Sequence, residues 1–200
     1  NYIKVYQAIP DAKIISNFIQ YLNKTFKEQK FKEGSLHTSE GNETNKGVRD
    51  VDILELSNMS ESLSNVHWAN FLRYLITNQM SNYVREFPDI AKATIFDLQA
   101  LRYGVGGHYN FHVDDGPGLN RKYSSILMLN NDYEGGQLAF KIDGEIKTIE
   151  NKPGQLVIWP SNFMFPHAVT PMTKGVRYSV VSWMCCNRFI VNHKTKINGS

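Results

Sequence analysis

The chain has 200 residues, enough for one domain with a sizeable apolar core and no need of disulfide or metal staples. A formal net charge of +3 falls far short of the basic excess of a dedicated nucleic-acid binder, and the only cysteines, Cys185 and Cys186, are adjacent and cannot readily close a structural loop. No stretch is apolar for long enough to cross a membrane as a helix, and the first residues lack the basic, apolar and small-residue order of a secretory signal, so a reducing, cytoplasmic setting is expected.

Pro10 and Asp11 stand like a helix start before Ile14, Ile15, Phe18, Ile19 and Leu22, which recur at helical spacing. The polar stretch from Gly34 to Lys46 is expected as an exposed loop, and Val51 to Leu56 alternates like a short strand. A second helix is expected from about Ser64 to Phe87, with Trp68, Phe71, Leu72, Leu75 and Ile76 on one side and Pro88 at its end. From Thr94 onward the texture changes to short β-type runs: Thr94 to Tyr103, Tyr109 to Val113, Ser124 to Leu129, Gln137 to Ile142, Glu145 to Ile149, Gln155 to Trp159, His167 to Pro171 and Val176 to Met184. Gly and Asp-Gly turns separate them, and Asp143-Gly144 between two alternating runs is a hairpin signal. The pattern predicts an α+β, mainly β chain of one domain over residues 1–200. A helical buttress (about 1–93) supports a double-sheet jelly roll (about 94–184), and a tail (185–200) follows.

His112-Val113-Asp114 places an imidazole and a carboxylate two residues apart, so on a strand both project from one face. His167, opening a later β run, supplies a third ligand type. Two histidines and one carboxylate on one side of an ion leave the opposite positions open, as a non-haem ferrous oxygenase requires, whereas zinc prefers tetrahedral closure. An H-x-D triplet alone is weak, since an Asp beside a His is usually a solvated turn residue. Arg177 adds weight: a diacid such as 2-oxoglutarate, chelating iron through one end, needs a cation for its far carboxylate, and a guanidinium fork suits it. If Thr173-Lys174-Gly175 forms a three-residue hairpin loop, Met172 pairs with Val176 and His167 with Val181, and Arg177 then shares the inward face of His167 with Ser179 beside it.

These residues resemble the prolyl 4-hydroxylase-like branch of the 2-oxoglutarate and Fe(II) dioxygenases from about Leu98 to Met184. The likeness lies in an ordered series: Tyr103 and Tyr109 before His112-x-Asp114, Arg121-Lys122-Tyr123-Ser124 leading to Leu129-Asn130, Tyr133-Glu134-Gly135-Gly136-Gln137-Leu138, Pro153-Gly154-Gln155-Leu156, His167-Ala168-Val169, and Arg177-Tyr178-Ser179. The resemblance implies a cupin-like double-stranded β-helix and hydroxylation of a prolyl residue in a peptide or protein, coupled to decarboxylation of 2-oxoglutarate to succinate and CO2. It implies Fe(II), 2-oxoglutarate and O2 as the reacting partners, with ascorbate as a reductant. It further implies His112, Asp114 and His167 as iron ligands, Arg177 with Tyr103 and Ser179 on the cosubstrate, and Tyr109 and Trp183 on the substrate. Arg177 stands where many prolyl 4-hydroxylases carry Lys.

Bland readings stand beside these. Tyr103, Tyr109 and Trp183 could be core packing, His108 sits at a Gly-rich bend, His67 has no partner pattern, and the cysteines read as buried packing thiols. Within the same chemistry the target could be another side chain, a free amino acid or a nucleobase. A non-catalytic jelly-roll binding module and a zinc hydrolase are the alternatives from other classes; the intact ligand set argues against the first, and the lack of an H-E-x-x-H helix against the second.

Overall fold

In the computed structural model the described residues are 2–38, 41–57, 62–116 and 118–186; the expected tail therefore lies, from residue 187 on, outside them. The chain opens with strand β1 (Lys4–Gln7) and helix α1 (Ala12–Lys27), whose first turn is capped by the Asp11 carboxylate accepting from the Lys13 N–H at 2.8 Å. Short strands β2 (Lys32–Glu33), β3 (Leu36–Thr38), β4 (Gly41–Glu43), β5 (Arg49–Asp50) and β6 (Asp52–Glu55) lead to helix α2 (Leu63–Glu86). Ser62 caps α2 by accepting from the Asn65 N–H at 3.1 Å, and the helix stops immediately before the Phe87-Pro88 pair. The rest is β: β7 (Ala93–Tyr103), β8 (His108–His112), β9 (Tyr123–Met128), β10 (Glu134–Gly135), β11 (Leu138–Ile142), β12 (Glu145–Ile149), β13 (Gln155–Pro160), β14 (His167–Val169), β15 (Met172–Lys174) and β16 (Arg177–Cys186).

Two sheets face each other. The major sheet has the order β1-β13-β9-β16-β7-β6-β2 and the minor sheet β12-β11-β14-β8-β5. Strands β9, β13 and β16 are buried on both faces, so their side chains alternate between two cores. Leu127, Leu156, Ile158, Val180 and Met184 join Ile15, Phe18, Leu22, Leu72, Ile76 and Tyr83 of the helices. Ile126, Met128, Val157, Trp159, Val181 and Trp183 face inward against Leu138, Phe140 and Val169 of the minor sheet. The helices thus cover the outer face of the major sheet, and the space between the sheets is left for the site. Asp143 and Gly144 turn the β11–β12 hairpin with positive φ at both (53° and 82°), as the Asp-Gly pair predicts.

Two expectations are corrected, and one strand was not foreseen. The polar segment 34–46 is not all loop: β3 and β4 pair through Leu36↔Glu43, and the exposed residues of β4 carry no apolar alternation that would mark a strand. Strand β1, pairing with β13 along the sheet edge, is half exposed and equally silent. The hairpin between His167 and Arg177 does not form. The chain leaves the minor sheet after β14, pairs β15 with β10, and enters the major sheet at β16, so His167 lies opposite His112 and Arg177 opposite Tyr103. Gly175 does adopt φ +79°, but the turn serves a change of sheet rather than a two-stranded ladder. Among the described residues no helix is long and apolar enough to cross a membrane.

Candidate functional site

Strands β8 and β14 bring two imidazoles together as cross-strand neighbours in register, His112↔His167, with ring centroids 4.3 Å apart. Asp114 lies just beyond the end of β8, 4% exposed, with Oδ1 3.7 Å from His112 Nε2 and Oδ2 3.3 Å from His167 Nε2. One ligand atom from each residue falls within 4.8 Å of the others, a spacing that could hold a metal ion. Each ring is fixed from behind: His112 Nδ1 faces the Asn110 carbonyl at 2.8 Å and His167 Nδ1 the Phe165 carbonyl at 3.1 Å. A carbonyl only accepts, so each neutral imidazole carries its proton on Nδ1 and turns the Nε2 lone pair toward the shared point, the tautomer a metal needs.

The electrostatics agree. Burial, with the neighbouring His167, pushes the His112 pKa down to about 3, so this ring is neutral at ordinary pH. Burial alone would raise the Asp114 carboxyl, but His167, His112 and the Ser124 hydroxyl outweigh it and hold the group well below the usual carboxylate range. Tyr109 stacks on His112 at 3.5 Å with 18° between planes, and Trp159 presents its edge to His167 at 4.8 Å. These contacts lock the ring orientations.

Deeper between the sheets lies Arg177, only 1% exposed. Its Nη1 donates to Ser179 Oγ at 2.8 Å, its guanidinium carbon lies 5.2 Å from the Tyr103 ring centre, and the Tyr133 hydroxyl adjoins it. Among the described residues its Nε and Nη2 have no hydrogen-bond partner, and no acidic side chain pairs with it. Gly136, at φ +61°, keeps this end open for the arginine: a Cβ there would run into Met172 Sδ and stand 3.1 Å from Arg177 Cδ. A buried cation with free donors is costly unless an anion arrives, so the arrangement fits the far carboxylate of a small diacid.

On the other side of the triad a cleft of about 680 Å³ opens to solvent. His112 and Asp114 form its floor, with Tyr109 and Trp183 among its walls, whereas His167 and Arg177 do not line it. The triad thus separates an open, substrate-sized cleft from a closed, cationic end. Across the cleft Gln99 donates to Glu55 at 2.7 Å, and partial withdrawal from water, reinforced by Asp97, pushes Glu55 up to about 7.

All eight residues singled out from the sequence therefore fall in one region: His112, Asp114 and His167 converge, Arg177, Ser179 and Tyr103 form the closed end, and Tyr109 and Trp183 border the cleft. His108 and His67 lie elsewhere, the first against the Gly106 carbonyl and the second packed on Trp68. Cys185 is partly exposed rather than the buried packing thiol expected. Sequence reasoning passed over Arg121, whose guanidinium lies 3.7 Å over the Trp183 ring and whose Nη1 is 3.9 Å from Asp114 Oδ1. It also passed over Arg49, set 4.7 Å over Tyr109, and over Tyr133, Ser124 and Ser161. Arg121, Ser124 and Tyr133 appear in the ordered motif series, which was their only signal.

Residues 98–185 match the model of the 2OG-Fe(II) oxygenase superfamily. A PKHD-type hydroxylase of Synechococcus sp. (strain CC9605) is 33% identical over 106 residues, covering 50% of this chain and 46% of that protein. The chain thus spans about half the length of the curated relatives it matches. Among solved structures, a prolyl hydroxylase from Trichoplax adhaerens in complex with a hypoxia inducible factor oxygen degradation domain peptide fragment superposes with TM-score 0.77 at 17% identity, covering 100% of this chain and 88% of that one. A Pseudomonas putida prolyl-4-hydroxylase superposes with TM-score 0.70 at 19% identity, covering 92% of each chain. At these identities the superpositions establish the double-stranded β-helix fold.

Proposed function

We propose that this chain, whose residues 98–185 match the model of the 2OG-Fe(II) oxygenase superfamily, is a 2-oxoglutarate- and Fe(II)-dependent dioxygenase that hydroxylates a prolyl residue in a peptide or protein. The observation that carries the reading is the pairing of two sites between the sheets: three metal-ligating groups within 4.8 Å, and a buried arginine with two unpartnered nitrogens behind them. His112, Asp114 and His167 would hold the iron, and Arg177, supported by Ser179 and Tyr103, the C5 carboxylate of 2-oxoglutarate. Iron and 2-oxoglutarate, when bound, supply the activation of oxygen that couples decarboxylation to transfer of a hydroxyl group.

The protein's own part is positioning. The carbonyls of Asn110 and Phe165 keep both Nε2 atoms free to ligate. Arg177 orients the diacid from the closed end and, being buried, does so where water cannot compete. Tyr109 and Trp183 border the cleft through which a peptide reaches the same point, and flat rings suit the ring of a proline. The hydroxylase names of the relatives and the peptide in the Trichoplax complex support a prolyl peptide as the substrate class. On this reading helices and barrel form one catalytic domain, and the adjacent cysteines suit a reducing, cytoplasmic setting.

The test is succinate release with Fe(II), 2-oxoglutarate and O2, comparing proline-containing peptides with their Pro→Ala counterparts. Prolyl peptides should raise the rate well above the substrate-free background, and mass spectrometry should find one added oxygen on proline. Equal rates with both peptide sets would overturn the prolyl assignment while leaving the cosubstrate chemistry standing.

A further inference from the structure

Asp114 lies outside the regular ladder. Strand β8 ends at His112, and residues 113–115 lie in no strand ladder among the described residues. Still, a carboxylate that is to meet two fixed imidazoles must be held to a fraction of an ångström. What holds it is a pair of buried hydroxyls. Ser124 Oγ donates to Asp114 Oδ2 at 2.6 Å, and Ser124 Oγ lies 2.7 Å from Ser161 Oγ. The two serines are 0% and 1% exposed, so no bulk water competes.

Proton counting gives this chain a direction. A serine hydroxyl has one proton, and an ionised carboxylate can only accept. The Ser124 proton therefore goes to Asp114, and Ser161 must be the donor to Ser124. Ser161 is pinned in turn by its backbone: its N–H donates to the Lys122 carbonyl at 3.0 Å, and its carbonyl accepts from the Asp115 N–H at 3.0 Å. One residue just past the end of β13 thus ties the irregular turn carrying Asp114 to the segment that enters β9.

We infer that Ser124 and Ser161 are positioning residues which fix the rotation of the Asp114 carboxylate toward the two imidazoles, where it would serve as a ligand for a divalent cation. Ser124 holds Oδ2 where it lies 3.3 Å from His167 Nε2, and this rotation sets Oδ1 3.7 Å from His112 Nε2 and 3.9 Å from Arg121 Nη1. The inference rests on the metal reading given above, and its test separates the two.

Cobalt(II), added without oxygen, serves as the probe, read by equilibrium dialysis and by its d–d absorption bands, on the wild-type chain, Ser124→Ala and Ser161→Ala; the metal-free melting of all three is followed alongside. The expected result is a loss of Co(II) affinity of ~10- to 100-fold for Ser124→Ala, with altered band shape, the usual cost of removing a partner that orients a ligand. Ser161→Ala should lose roughly threefold, the effect of one hydrogen bond made through an intermediary. Unchanged affinity and bands in Ser124→Ala, with only a lower melting temperature, would mean a merely structural role and would overturn the inference. A wild-type chain that binds no Co(II) would instead overturn the metal reading itself.

Discussion

The two faces of the major sheet are made by the same strands yet differ in kind. On the outer face Leu127, Leu156, Ile158, Val180 and Met184 meet the helices in an apolar core. On the inner face the alternate positions of those strands and their neighbours include Ser124, Arg177, Ser179 and Tyr103 among apolar residues. Period-two alternation thus assigns stability to one face and chemistry to the other. The contrast sharpens at unpaired atoms. The outer-face polar tips are tied, Tyr83 to the Tyr2 carbonyl at 2.8 Å and Tyr178 to Asn23 at 2.7 Å, whereas the inner face leaves Arg177 Nε and Nη2 without partners among the described residues. Unpaired buried donors are expensive in a fold and useful in a binding site.

Substitutions on the two faces should therefore separate stability from binding. The largest effect is expected from Asp114→Ala, which removes the only anionic ligand: retention of a divalent metal should fall by more than the ~100-fold that loss of an orienting partner costs. A variant that still copurifies with stoichiometric iron would break the division. Next, Leu72→Ala on the helix side, at a position 0% exposed, should lower unfolding stability by ~2–5 kcal/mol while leaving metal affinity unchanged. Chemical denaturation and metal titration on one sample would check both halves.

Arg177→Met should do the reverse. The dissociation constant for 2-oxoglutarate, measured calorimetrically with Mn(II) in place of iron, should rise roughly tenfold to a hundredfold, the worth of hydrogen bonds to a charged group. The metal-free variant should melt no lower than wild type, because the change removes a buried charge that no acidic group among the described residues neutralises. A marked fall in melting temperature would mean that the arginine is a structural element.

The smallest effect concerns pH. The folded-state pKa of His112, about 3, lies below the ordinary 6.5, so the unfolded chain takes up a proton that the native state refuses. Stability is then complete above the unfolded value and declines as pH falls from there toward the folded one, by about 1 kcal/mol between roughly pH 7.5 and pH 5.5. The decline should vanish in His112→Gln; its persistence would assign it to other groups.

How much of this was legible beforehand depended on whether the signal was local. The triad could be read because His112 and Asp114 share two-residue spacing and His167 opens its own β run. Arg177 was placed inward for a reason that fails: the supposed hairpin pairing His167 with Val181 does not exist, and the arginine faces the site because β16 runs in the opposite sheet. Ser124 and Ser161 carried no spacing signal, since their contact joins residues 37 apart through tertiary packing alone. The edge strand β1 and the hairpin of β3 and β4 escaped notice because exposed strands need no apolar alternation. Both helix starts, by contrast, are announced by side chains that cap the first turn locally.

The most direct test of the central claim, that one metal point and one carboxylate point lie back to back between the sheets, is anaerobic titration of Fe(II)-loaded chain with 2-oxoglutarate, followed by visible absorption. The account predicts a weak charge-transfer band saturating at one 2-oxoglutarate per chain, absent in Asp114→Ala and reached only at higher 2-oxoglutarate in Arg177→Met. A wild-type chain that stays colourless, or an Asp114→Ala variant with the same band, would contradict it.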